Sequence, residues 1–105
     1  MPLTKSFKET IAKRAAEDSE YRDALLENAI NEFLQGDLEV AKSLLRDYIN
    51  ATIQFDAVAR ELDKEPKSIQ RMLGPSGNPT TENFTSLLKA IQKLEGLTLE
   101  ARVNH

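Results

Sequence analysis

Apolar residues recur every three or four positions along most of this chain, and the residues that break helices gather in a few places. That pattern restricts the fold to short, amphipathic helices packed on one another. Leu3, Phe7, Ile11 and Ala15 share one helical face, which predicts a helix from about Thr4 to Glu17. Ser19 can cap a second helix carrying Tyr21, Leu25, Ala29, Ile30 and Phe33, with Gly36 as a left-handed stop. Asp37 opens a third, with Leu38, Ala41, Leu44, Leu45, Tyr48 and Ile49 on its apolar side. Beyond Ile53 the elements shorten. Phe55, Val58, Ala59 and Leu62 line a helix of about two turns, Asp63 and Lys64 make a tight turn, and Pro66 suits the first position of the next helix. Ile69, Met72 and Leu73 give that helix its buried side. GPSGNP, residues 74–79, is a strong breaker. Thr80 or Thr81 then caps a last helix with Phe84, Leu87, Leu88, Ile91 and Leu94, ended by Gly96. The expected fold class is all-α, with five to six helices.

The tail changes period. Leu97, Leu99, Ala101 and Val103 alternate with polar residues, which predicts a short C-terminal β-strand. A lone strand has no ladder to join, so it either pairs with a second copy of the chain as a dimer contact or lies loosely as a tail. The chain divides into an N-terminal helical extension, 1–36, a central unit, 37–96, and the tail, 97–105, within one compact whole.

Composition excludes several kinds of chemistry. The 105 residues contain no cysteine and a single histidine, His105, so thiolate sites, histidine triads and histidine–cysteine metal sites have no raw material. Ser43 and Ser68 have no histidine to activate them, and Gly74, Pro75 and Gly77 lack the spacing and lysine of a phosphate loop. The expectation is a non-enzymatic protein with no cofactor and no metal. No apolar run approaches the ~20 residues that span a bilayer, and the first residues lack a secretory core, so a cytoplasmic location is expected.

Charge is unevenly placed. The net charge is −3, yet Asp18, Glu20, Asp23, Glu27, Glu32, Asp37 and Glu39 face only Arg22, whereas Lys64, Lys67 and Arg71 outnumber Glu65. The two stretches are either solvated surface or faces for two different partners.

Two short helices with a sharp turn, the second exposing polar and basic groups, make a helix-turn-helix able to enter a groove about 12 Å wide. The locking core would be Phe55, Val58, Ala59, Leu62, Ile69, Met72 and Leu73. Gln70 and Arg71 suit base edges, adenine and guanine respectively, and Lys67 and Ser68 stand beside them as base-contact candidates. Lys64, Lys67, Asn78, Thr80 and Thr81 suit backbone phosphates, which orient a protein without reading sequence.

These residues also carry a family likeness. FDAVARELDKEPKSIQRMLGPSGNPTTENF resembles the helix-turn-helix of Xre-like, lambda-repressor-type regulators, and within them the HigA-like addiction-module antidote branch. Its marks are Val58–Ala59, the KSIQRML segment and the GPSGNP turn. SFKETIAKRA and LLRDYINATIQF extend the likeness to bacterial transcriptional regulators over nearly the whole chain. Asp63 and Lys64 depart from the glycine and apolar residue common at this turn. The resemblance implies a small bacterial DNA-binding protein, often dimeric; with the exposed KSIQR face, the expected function is transcription regulation by a homodimer, its own operon among the candidate targets, with two recognition helices reading a palindromic double-stranded DNA operator. In antitoxin members it further implies a RelE/HigB-type toxin as partner, which the acidic N-terminal helices would engage. A helical domain without a DNA role is the third reading, and it predicts no detectable DNA binding even at low salt.

Overall fold

A computed structural model describes residues 5–105, with side chains from residue 9 onward. Leu3 and Thr4, and the side chain of Phe7, lie outside the described residues. Among the described residues six helices follow one another: α1 (Lys5–Glu17), α2 (Ser19–Leu34), α3 (Leu38–Ala51), α4 (Gln54–Leu62), α5 (Pro66–Met72) and α6 (Thr81–Glu95). The protein is all-α.

Each boundary has a local cause. Asp18, and not Ser19 as the sequence suggests, caps α2: its carboxylate accepts the N–H groups of Glu20 and Tyr21 at 3.0 and 3.2 Å. Starting the helix one residue earlier lets an anion sit at the positive end of the helix dipole. Asp37 caps α3 through the Val40 N–H, and Thr80 caps α6 through the Asn83 N–H. Gly36 and Gly96 take the positive φ values, 89° and 65°, that end α2 and α6.

α3 lies at the centre, against α2, α1 and α4, while α4 packs on α5 and α6. One apolar cluster runs through the described helices, from Ala15, Leu25, Leu26 and Ala29 through Leu45, Tyr48 and Ile49 to Val58, Ile69, Leu73, Leu87 and Ile91. Burying each large aliphatic side chain contributes about 1.5–3 kcal/mol. Phe33 of α2 stacks on Phe84 of α6, ring centres 4.4 Å apart and planes within 15°. The Lys93–Glu61 ion pair, 2.6 Å, also joins α6 to α4, but its lysine is largely exposed and adds little beside that burial.

The expected C-terminal strand is not formed; no strand occurs among the described residues. The alternation has a different use. Leu97 and Leu99 turn inward and pack against the helical core, while Thr98 and Glu100 face solvent. Gln92 anchors the segment: its carbonyl accepts the Leu97 N–H at 3.0 Å and its Oε1 the Leu99 N–H at 2.8 Å. Of the four residues expected at a dimer contact, Leu97 and Leu99 are thus engaged within the chain, and Ala101 and Val103 remain exposed.

Candidate nucleic-acid interface

The joint between α4 and α5 sets the geometry of the basic surface. Asp63 adopts the left-handed conformation, φ 53° and ψ 48°, so that Lys64 donates its N–H back to the Ala59 carbonyl at 2.9 Å. Aspartate visits this region more readily than most residues, so it replaces a glycine at modest cost. Glu65 is extended, Pro66 occupies the first turn of α5, and Ser68 donates to the Glu65 carbonyl at 2.9 Å. Behind this turn Phe55, Val58, Ala59, Ile69 and Leu73 are buried, and Leu62 and Met72 are half-buried against them. All seven are buried or packed against the buried cluster.

The opposite side of α5 faces water. Lys67, Ser68, Gln70 and Arg71 are exposed and line one concavity together with Glu65 and Pro66. A second cavity, of about 210 Å3, lies between α5 and the start of α6. Lys64, Ser68 and Asn78 meet there over an apolar floor of Ile69, Met72 and Pro79, and Asn83 completes the lining. Asn83 carried no signal in the sequence, because an asparagine in the first turn of a helix is ordinarily just surface. Thr80 and Thr81 are exposed at the start of α6 but do not line the cavity, and the Thr80 hydroxyl oxygen is committed to the helix cap.

The breaker between α5 and α6 is a folded loop. Gly74 donates its N–H to the Arg71 carbonyl at 3.1 Å and Gly77 its own to the Gly74 carbonyl at 3.0 Å. A Cβ on Gly77 would stand 2.2 Å from the Arg71 carbonyl oxygen and 2.4 Å from that of Met72, so only glycine allows the loop to lie this close on the end of α5. From behind, Lys42 of α3 donates to the carbonyls of Gly74, 2.9 Å, and Gly77, 2.6 Å. The sequence reading passed over Lys42. Its signal was present: it falls at helical spacing on the Ala41, Leu45, Ile49 stripe, where a charge is out of place.

The stretch from α2 into α3 is acidic and partly apolar. From Asp23 to Ala41 there is no basic residue, and Phe33, Leu34 and Val40 are exposed around the α2–α3 turn, Leu34 at 68%. Among the described residues no cluster of histidine, cysteine or carboxylate side chains could hold a metal ion, and no helix is long and apolar enough to cross a membrane. Burial, then the Glu95 and Asp23 carboxylates, push the Tyr48 phenol in the core up to about 12. Compared with protein-family models, curated proteins and solved structures, the chain matches none.

Proposed function

We propose that this chain is a sequence-specific DNA-binding regulator that acts as a homodimer through a helix-turn-helix made of α4 and α5, autoregulation of its own operon included. The observation that carries the reading is the division of α5: Ile69, with Leu73 just past the end of the helix, is buried, while Lys67, Ser68, Gln70 and Arg71 stand exposed on one concavity. A short, rigidly backed helix with amide and guanidinium tips is what reading base edges in the major groove requires. Lys64 and Asn78, gathered around the neighbouring cavity, are the backbone-phosphate contacts of this scheme, with Thr80 and Thr81 at the rim of α6. In a two-fold dimer the two copies of α5 would lie about 34 Å apart and read a palindrome. Its contact includes Ala101 and Val103, the exposed part of the alternating tail.

The test is selection of bound duplexes from a randomised library, followed by titration of the enriched sequence. Arg71→Ala is expected to cost about 1–3 kcal/mol and to relax preference at one base pair, whereas Lys67→Ala weakens all sequences alike and lowers the salt slope by about one. A library with no enriched sequence, or an Arg71→Ala protein that binds as wild type, rejects the reading.

A second reading, compatible with the first, is an antitoxin-type module that neutralises a basic RelE/HigB-like toxin. The lack of any basic residue from Asp23 to Ala41, together with exposed Phe33, Leu34 and Val40 at the α2–α3 turn, favours it. Such a surface offers a cationic partner both charge complementarity and apolar area. Co-purification of a small basic protein that is lost on Leu34→Lys supports this reading; recovery of DNA and no protein rejects it.

A further inference from the structure

Lys42 is the one charged side chain buried among the described residues, at 1% exposure. An ammonium has three N–H donors, and this one meets three acceptors: Glu39 Oε1 at 2.8 Å and the carbonyls of Gly74 and Gly77. Withdrawing an ammonium from water is costly, and an apolar side chain would fill the same space without that cost. What the lysine gains is reach. It joins α3 to a loop more than thirty residues later in the chain, with separations of 32 and 35 residues to the two glycines.

The loop it grips borders the basic surface. Gly77 is pressed onto the Arg71 and Met72 carbonyls, at the end of α5, and Asn78 follows it directly into the cavity shared with Lys64 and Ser68. Gly74 already serves the Gly77 N–H, so its carbonyl has a second donor, whereas the Gly77 carbonyl has no donor but Lys42 among those observed. Removing the ammonium therefore strands a carbonyl at the point where the chain leaves α5 for α6. The α3 contacts with α2 need no part of it.

We infer that Lys42 is a positioning residue for nucleic-acid binding: through the Gly74 and Gly77 carbonyls it fixes the loop that presents Asn78 beside α5. The inference rests on the DNA-binding reading above. Lys42 touches no DNA in this scheme and acts through the loop.

Two measurements test it. The first needs no DNA: amide hydrogen exchange in Lys42→Met, a variant of similar shape without donors. The Gly77 amide is expected to exchange about tenfold faster or more, with the Leu45 and Ile91 amides at wild-type rates. Glu39→Gln, which alters only the exposed acceptor, shifts Gly77 exchange in the same direction by a smaller factor and serves should Lys42→Met fail to fold. Unchanged Gly77 exchange in these variants overturns the inference.

The second is a double-mutant cycle on the duplex enriched by selection, at a temperature where every variant is fully folded. Lys42→Met is expected to weaken binding about tenfold, to remove the penalty of Asn78→Ala, and to leave that of Lys67→Ala intact. A merely structural lysine would lower the melting temperature and leave the two penalties additive, and additivity overturns the positioning role. Should the wild-type chain enrich no duplex, the DNA-binding reading falls and the positioning role with it, while Gly77 exchange still reports whether Lys42 holds the loop.

Discussion

Gln54 and Asp63 are the two described non-glycine residues with positive φ, 66° and 53°, and they bracket α4. A side chain there crowds the following carbonyl, at about 1–2 kcal/mol for a residue without a compensating local bond. Asp63 belongs to the residue types that reduce this cost; Gln54 does not. Gln54→Gly is therefore expected to raise the unfolding free energy by about 1 kcal/mol, and Asp63→Gly by less, both read from urea midpoints at unchanged m-value. The left-handed turn at Asp63 was readable from the sequence, because aspartate between two short apolar stretches is a turn residue with a mechanism. Gln54 was not, since glutamine has no such preference and only the packing of α3 against α4 requires the chain to turn there.

At the scale of the helix, ends and faces behave differently. Faces were largely legible: the helical stripes read from spacing correspond to buried sides in the described residues, with Phe33 and Leu94 left exposed and Leu26 buried without having been read, since 3.6-residue periodicity is a property of the backbone alone. Ends depend on which of two adjacent polar residues reaches the free N–H groups. Asp18 does so and Ser19 does not, so Asp18→Ala should cost about 1 kcal/mol and Ser19→Ala almost nothing, measured by thermal unfolding of the two variants. Of the candidate interface, the exposed row on α5 followed from periodicity. The cavity that joins Lys64, Ser68, Asn78 and Asn83 did not, because the fold of the 74–79 loop brings those residues together and two of its carbonyls accept from a lysine of another helix.

For the molecule as a whole, stability couples to pH through Tyr48. Its phenol, 1% exposed, is raised to about 12 in the folded chain from an ordinary value of 10.0. Below pH 10 both folded and unfolded chains keep the proton, and the stability is intact. Between pH 10 and 12 the unfolded chain releases it first, so stability falls, by ~3 kcal/mol in all once both pKa values are passed. Tyr48→Phe is expected to flatten that alkaline slope in denaturant titrations carried out from pH 9 to 12; an unchanged slope places the ionisation elsewhere.

Local physics in the sequence determined the helices, their apolar faces, the turn at Asp63 and the break at GPSGNP, because propensity, periodicity and backbone preference act within a few residues. Tertiary structure alone decided what the tail does and what holds the loop. Alternation in 97–103 is equally a strand edge or an extended segment on a helical surface, and the space beside α6, with Gln92 offering two acceptors, settled it for Leu97 and Leu99. In the sequence Lys42 stands out only as a charge on an apolar stripe, which does not say what it would meet. Its burial, and its grip on two carbonyls distant in the chain, exist only once α3 and the loop have met.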